Sequence, residues 1–377
     1  MTNHDYKQHA YYMIYLIRCV LNGQIPKKEK LDRMDLPKLY DVAEKHSLSA
    51  ITAYALESAE VVDERFEQAK AKAIRKNILL DLERERVFAE FEKAGVWYMP
   101  LKGIILKELY PKIGMRQMAD NDILIDASKA DIVRMIMKKS GFETIRYNKS
   151  NHDEYHKKPV SNFEIHRSLF ESWTGEKTSI YYRNVNKRLL GNGNKRHFSD
   201  DDFYVYIIAH EYKHFVLSGT GLRSLIDRYL ILKNIGSNLN NIYVKKELSK
   251  IGIAEYEFET KKMISHLFSD KKLSEKEASL LDCYIFAGTY GSEISRVRKE
   301  FINKDADILS KIRYALKRFF EPIDMDNPKH LYYQKRYPTF YKYKILLPVL
   351  LVYRLLISDK KQLNREVRII INGSKKT

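Results

Sequence analysis

Two carboxylates one residue apart, Asp120 and Asp122 in RQMADNDILID (116–126), stand directly ahead of an apolar run. On a strand, residues two apart project to one face, with Cα atoms about 6.5–7 Å apart. Asp120 and Asp122 then lie side by side, while Asn121, Ile123 and Ile125 point the other way. Adjacent carboxylates repel, and one is pushed toward protonation unless a cation lies between them. A divalent cation is the natural neutraliser, and Mg2+ takes one or two carboxylates together with substrate phosphates. The bland alternative is a loop aspartate followed by a strand-start cap.

NFEIH (162–166) offers a third carboxylate. Glu164 and His166 share one face of this predicted strand, and Phe163 and Ile165 share the apolar other face. If the strand neighbours 121–125, Glu164 converges on the aspartates; otherwise it is merely solvated. Upstream, MPLKGIILKELYP (99–111) reads as strand, Lys102-Gly103, then helix. Glycine at such a turn lets backbone approach a ligand closely, a helix N-terminus offers free N–H groups to phosphate, and Lys102 adds charge. A strand–Gly–helix is also a plain connection.

Residues 210–214 spell HEYKH. On a helix His210 and His214 share a face, and Glu211 could serve as the base of a zinc protease. No third histidine of the metzincin kind follows in GTGL (219–222). The competing account turns Lys213 and His214 toward a nucleotide or the core sheet and gives His210 a structural role. Arg223 and Asp227, four apart, read most simply as an ion pair on a helix, with a place near the active-site rim as the functional alternative.

These residues need elements to position them. Helices are predicted over 6–22, Pro37–Ser58 and Asp63–Ala94, the last dense in helix formers and ended by Gly95. The pattern then alternates: strand 96–101, short helix 104–110, strand 122–125, helix 127–140, strand 142–147, strand 162–166. After about residue 200 helices return. The chain thus reads as an N-terminal helical region (1–95), a small α/β core (96–190) and a C-terminal helical region with a basic tail (191–377).

The 377 residues are 44% hydrophobic, enough for a sizeable core, and carry a net charge of +18. Residues 311–377 hold 16 Lys/Arg against 5 Asp/Glu, so that segment alone contributes +11. A basic surface favours phosphate-bearing partners: nucleotide, RNA or an anionic membrane face. The alternative is plain solubility. Cys19 and Cys283 are far apart in sequence, which excludes a disulfide framework or cysteine metal cluster and fits a reducing compartment. No signal peptide is expected, and ILLPVLLVY (345–353) is too short to span a bilayer. The tail from Lys335 onward has three readings: a membrane-surface helix, an RNA track with stacking tyrosines, or a helix packed on the body. Pro348 should start or kink a helix there. A cytoplasmic location is expected, with a peripheral place at the inner membrane face as the alternative.

Taken together, Lys102-Gly103, Leu109-Tyr110-Pro111, Arg116-x-Met118-x-Asp120-x-Asp122, Gly141-Phe142 and Glu164-x-His166 resemble a bacterial family of uncharacterised nucleotidyltransferases in the DNA polymerase β-like nucleotidyltransferase superfamily. The AHEYKHF and GLRSLIDRYLIL segments, and RYPTFYKYKILLPVLLVYRLL (336–356), look like its helical region and C-terminal signature, so the likeness runs over roughly residues 40–356. The sequence departs from the usual pattern in carrying Ile104 after Gly103 and Asn121 between the aspartates. The resemblance implies an α+β fold: a small mixed-sheet core flanked by N- and C-terminal helical regions. It implies transfer of an NMP group from a nucleoside triphosphate such as ATP to an acceptor hydroxyl on a small molecule, glycan precursor or protein. A toxin-like transferase modifying RNA, or a non-catalytic nucleotide-binding relative, is the alternative. Asp120, Asp122 and Glu164 would be catalytic and hold Mg2+ or Mn2+. Lys102, Gly103, Arg116, His166 and Lys213 would bind the nucleotide.

Overall fold

A computed structural model of the chain describes residues 1–171, 175–269, 271–289, 291, 316, 319–320, 323, 333–334 and 336–357. Helix α1 (Asn3–Leu21) opens on a reciprocal cap between Thr2 and Asp5. The short α2 (Lys28–Leu31) follows. The single helix expected over 37–58 is two, α3 (Leu36–His46) and α4 (Ser49–Glu57), because Ser47 turns into the left-handed region at φ 53°. That turn lets His46 enter the core, where its ring accepts the Leu222 N–H at Nδ1 (3.3 Å) and faces the Ile285 carbonyl with Nε2 (3.0 Å). Helix α5 (Glu64–Lys93) runs as expected. Its buried stripe, from Phe66 through Ala73, Asn77, Leu80 and Arg84 to Phe91, recurs every three or four residues.

The sheet-forming part contains β1 (Tyr98–Pro100), α6 (Gly103–Leu106), β2 (Asn121–Ile125), α7 (Ala130–Lys139), β3 (Glu143–Arg146), β4 (His152–Lys157) and β5 (Ser161–His166). The strand order is β1-β2-β5-β4-β3. Only β2 and β5 pair in parallel, so the sheet is mixed and the fold is α+β. Sequence reading missed β4: HDEYHK has no β-branched residue, and its alternation rests on two buried positions, Asp153 and Tyr155. Asp153 is buried because it accepts the Asn148 N–H (2.7 Å) and the Arg167 guanidinium (3.1 Å), which ties down the β3–β4 turn.

One face of the sheet, with Ile123, Ile125, Tyr155, Phe163 and Ile165, packs against Leu80, Val87 and Phe91 of α5 and Val133 and Met137 of α7. Met99 and Leu124 on the other face meet a cluster built on Phe170, Tyr204, Tyr206 and Ile208. The chain continues through α8 (Glu176–Tyr182), α9 (Asp200–Leu217), α10 (Leu222–Ile235), α11 (Asn241–Lys250), α12 (Ala254–Leu267) and α13 (Glu275–Ile285), then α14 (Pro338–Lys342) and α15 (Leu347–Ile357). Residues of α1, α3 and α4 share one core with α10, α12 and α13, so the N-terminal and C-terminal helices pack together beside the sheet.

Pro348 stands at the start of α15, and Leu350 and Leu351 are buried while Val349 and Val352 are exposed. The rest of the basic tail, 358–377, lies outside the described residues. Among the described residues no helix is long and apolar enough to cross a membrane.

Candidate active site

The parallel pairing of β2 and β5 sets Asp122 directly opposite Glu164 and Leu124 opposite His166. Strand alternation then puts Asp122, Glu164 and His166 on one face. Asp120 immediately precedes β2 and is partly buried beside them. Asn121 turns to the opposite face, fully buried, and donates its amide to the Leu80 carbonyl of α5 at 3.1 Å. Its polar group is satisfied there, which is how a strand expected to be apolar tolerates it.

Asp122 is tightly held. Its Oδ1 accepts from Lys102 Nζ at 2.7 Å and from His166 Nε2 at 2.9 Å. Burial opposes its ionisation, but the Lys102 ammonium and the His166 hydrogen bond outweigh that and hold its carboxyl far below the usual range. Asp120 goes the other way: burial, then the charges of Asp122 and Glu164, push it up to about 7, against Lys102 and Arg223. Asp122 is therefore the ionised member of the pair and Asp120 the one driven toward protonation. Burial alone would raise Glu164, yet His166 and Lys102 bring it below its ordinary value.

Lys102 sits at a strained turn, φ 40° and ψ −111°, as the residue that starts α6. Gly103 follows because no side chain fits: a Cβ there would lie 2.8 Å from both Arg116 Nη1 and Met118 Cε. The close approach that glycine permits is thus to Arg116, inside the protein. Arg116 itself is spent on Asp227, with Nε–Oδ1 2.9 Å and Nη2–Oδ2 3.0 Å, and the Tyr110 hydroxyl donates to the same carboxylate at 2.8 Å. All of this is buried. Arg116, expected at a triphosphate, is placed under the Lys102-Gly103 turn, and Asp227, expected on a helix surface, is its partner.

Helix α9 roofs the sheet. Ser199 caps it by accepting the Asp202 N–H, and three aspartates in the first turn complement the helix dipole. Lys213 lies on the face near Lys102, Asp122 and Glu164; burial, then the Lys102 charge, push its ammonium down to about 8. Among the described residues Lys213 has no ion-pair partner, and its nitrogen lies 5.9 Å over the Phe170 ring. His210 and His214 lie on the same side, Nε2 to Nε2 at 3.2 Å, and burial first, then nearby cations, keep both neutral. Glu211 points away into the core, where it accepts from Tyr256 (2.6 Å) and Tyr284 (2.9 Å) and lies 3.6 Å from Arg228. The glutamate and the two histidines of HEYKH therefore face different parts of the protein, which excludes a zincin site.

Sequence reasoning did not find Lys76, Tyr206 or His152. Lys76, on α5, is half-buried next to the charge of Asp120, and burial lowers its pKa. Nothing in a lysine-rich helix distinguishes it beforehand. Tyr206 is buried within reach of Lys102, Asp122 and Glu164, and burial raises its pKa. His152 carries a signal, the period-two His-x-Glu-x-His of β4, but a segment without β-branched residues does not announce itself as a strand.

The donor set fits a divalent cation. Carboxylates from Asp120, Asp122 and Glu164 crowd one another enough to drive one toward protonation, a strain that a cation relieves. The model for uncharacterised nucleotidyltransferases matches residues 32–269, and the chain belongs to that family. No curated protein and no solved structure matches it.

Proposed function

We propose that this nucleotidyltransferase moves an NMP group from a nucleoside triphosphate to an acceptor hydroxyl, using Mg2+ or Mn2+ held by Asp120, Asp122 and Glu164. The supporting observation is Asp122 and Glu164 in register on parallel strands, beneath a half-buried Lys213 with no ion pair among the described residues. A bound divalent cation supplies charge neutralisation and alignment of the attacking and leaving oxygens.

The chain's own residues do the rest. Lys102 and Lys213 receive the triphosphate, and Lys76 and Arg223 flank it on the Asp120 side. Glu164, at the acceptor side of the pair, takes the hydroxyl proton. The acceptor oxygen forms a bond to the α-phosphorus, the α–β anhydride bond breaks, and pyrophosphate leaves. His166 orients Asp122. Gly103 and Arg116 are positioning residues: they set the turn from which Lys102 reaches the site.

The test is transfer of label from α-32P nucleoside triphosphates in a lysate, with Mg2+ or Mn2+, sorted into small-molecule, protein and RNA fractions. Label lost in Asp122→Asn and in Asp120→Ala/Asp122→Ala supports the reading. Absence of label in every fraction, from folded protein, overturns it. The net charge of +18 favours RNA as a second acceptor class; label in the RNA fraction that falls steeply with added salt is its mark.

A further inference from the structure

The structure assigns a mixed nitrogen–oxygen cation site to His152, Glu164 and His166, selective for a transition-metal ion such as Mn2+ over Mg2+. It deepens the reading above and rests on it for its place beside the reaction centre. The three side chains each offer one ligand atom, and these atoms all lie within 4.8 Å of one another. His166 Nε2 stands 3.6 Å from Glu164 Oε2, and His152 Nε2 stands 4.0 Å from the same oxygen. Two donors on one ion with bonds of about 2.1 Å lie roughly 3 to 4 Å apart, so small side-chain rotations close the set.

Two further observations, at Glu164 and at His152, point to an ion here. Glu164 accepts no hydrogen bond within 3.5 Å among the described residues, although it is mostly buried between two imidazoles. His166 Nε2 faces Asp122 at 2.9 Å without the ion; binding exchanges that contact for the ion and moves the ring proton to Nδ1, while Asp122 keeps Lys102 at 2.7 Å. His152 is oriented by Asn151 at Nδ1 (3.3 Å), the kind of outer support that metal-binding imidazoles use, while its Nε2, 3.3 Å from Glu154, is the nitrogen that turns to the ion. Glu154 is in turn held by Arg146 at 3.2 Å.

The donor types decide the metal. Mg2+ prefers an all-oxygen shell and gives up its waters reluctantly. Imidazole suits Mn2+ less than carboxylate does, but suits Mg2+ least, and affinity for nitrogen-bearing sites rises along the first transition row from Mn2+. The aspartates make an oxygen site, and β4 adds nitrogen to its neighbour. Both histidines reach it only because β4 pairs with β5 antiparallel, with His152 opposite His166.

The experiment is Mn2+ titration of the full chain without nucleotide, read by electron paramagnetic resonance, with pulsed detection of 14N coupling. The expected result is 14N coupling from two imidazoles on bound Mn2+, with at least tenfold weaker Mn2+ binding in His152→Gln and coupling from one imidazole in the ion that still binds. Mg2+ should displace the ion only at a large excess. Thermal unfolding checks that the variant is folded, and His152→Glu, which restores a ligand without nitrogen, should recover Mn2+ binding with 14N coupling from the single remaining imidazole of His166. Bound Mn2+ with no 14N coupling, or His152→Gln binding Mn2+ within twofold of the parent chain, overturns the assignment. Its failure is separable from failure of nucleotidyl transfer, because binding is read without substrate and transfer is read with Mg2+.

Discussion

Removing Asp227 tests whether Arg116 is structural. The Arg116–Asp227 pair is bidentate at 2.9 and 3.0 Å, both side chains are less than a tenth exposed, and Tyr110 donates to the same carboxylate. Asp227→Ala leaves a guanidinium buried and unpaired, which costs about 3–5 kcal/mol. The Tyr110 hydroxyl also loses its acceptor, worth about 1–3 kcal/mol and not fully additive. Against a total stability of roughly 5–15 kcal/mol this is a large fraction. Arg116→Met/Asp227→Leu removes both charges and replaces them with apolar bulk. It should regain most of the loss, leaving about 1–2 kcal/mol for the tyrosine. The assay is guanidinium unfolding followed by circular dichroism, with nucleotide binding measured alongside. An Asp227→Ala chain as stable as the parent, or an Arg116→Met chain that keeps full stability while losing nucleotide affinity, would refute the argument and return Arg116 to the triphosphate.

Lys213→Met should weaken nucleoside triphosphate binding by roughly ten- to a hundredfold in calorimetry, while unfolding stability holds or rises because a partly desolvated charge is gone; unchanged affinity removes Lys213 from the site. Gly103→Ala forces a methyl to 2.8 Å from Arg116, which Asp227 prevents from yielding, so a loss of about 1–3 kcal/mol is expected in thermal unfolding, together with weaker nucleotide binding. A stability change below about 0.5 kcal/mol would show that the turn has slack. For pH, His46 is held neutral by burial, with its folded pKa down to about 4 against an ordinary 6.5. A depressed histidine contributes stability that is present above 6.5 and lost as pH falls toward 4, by about 2 kcal/mol at pH 5. His210 and His214 act in the same direction. Urea midpoints equal at pH 7.5 and pH 5 would contradict this.

What could be read from sequence is local and periodic. The period-two pattern of NFEIH put Glu164 and His166 on one face and Phe163 and Ile165 on the other, and the β5 register agrees. The uninterrupted helix formers of 64–93 made α5 legible, and the motif run from Lys102 to His166 pointed to the family the chain belongs to. A strand's face and a helix's length follow from neighbouring residues through the geometry of the backbone, so a linear sequence carries them.

The tertiary structure decided which of those residues meet. Arg116 found Asp227, 111 residues away, and that pairing drew it away from the role its motif suggested. Gly103 is required by the Arg116 and Met118 side chains beneath it. Ser47 broke a predicted helix so that His46 could bind α10 and the end of α13. Strand β4 exists because Asp153 and Tyr155 are buried by partners outside it, although its own residues have little β preference. Lys213 came over the carboxylates, and Glu211 turned from them, only when α9 settled on the sheet. Each of these depends on free energy shared between segments far apart in the chain, whose contacts form together or not at all, and that coupling has no signature in the spacing of residues along it.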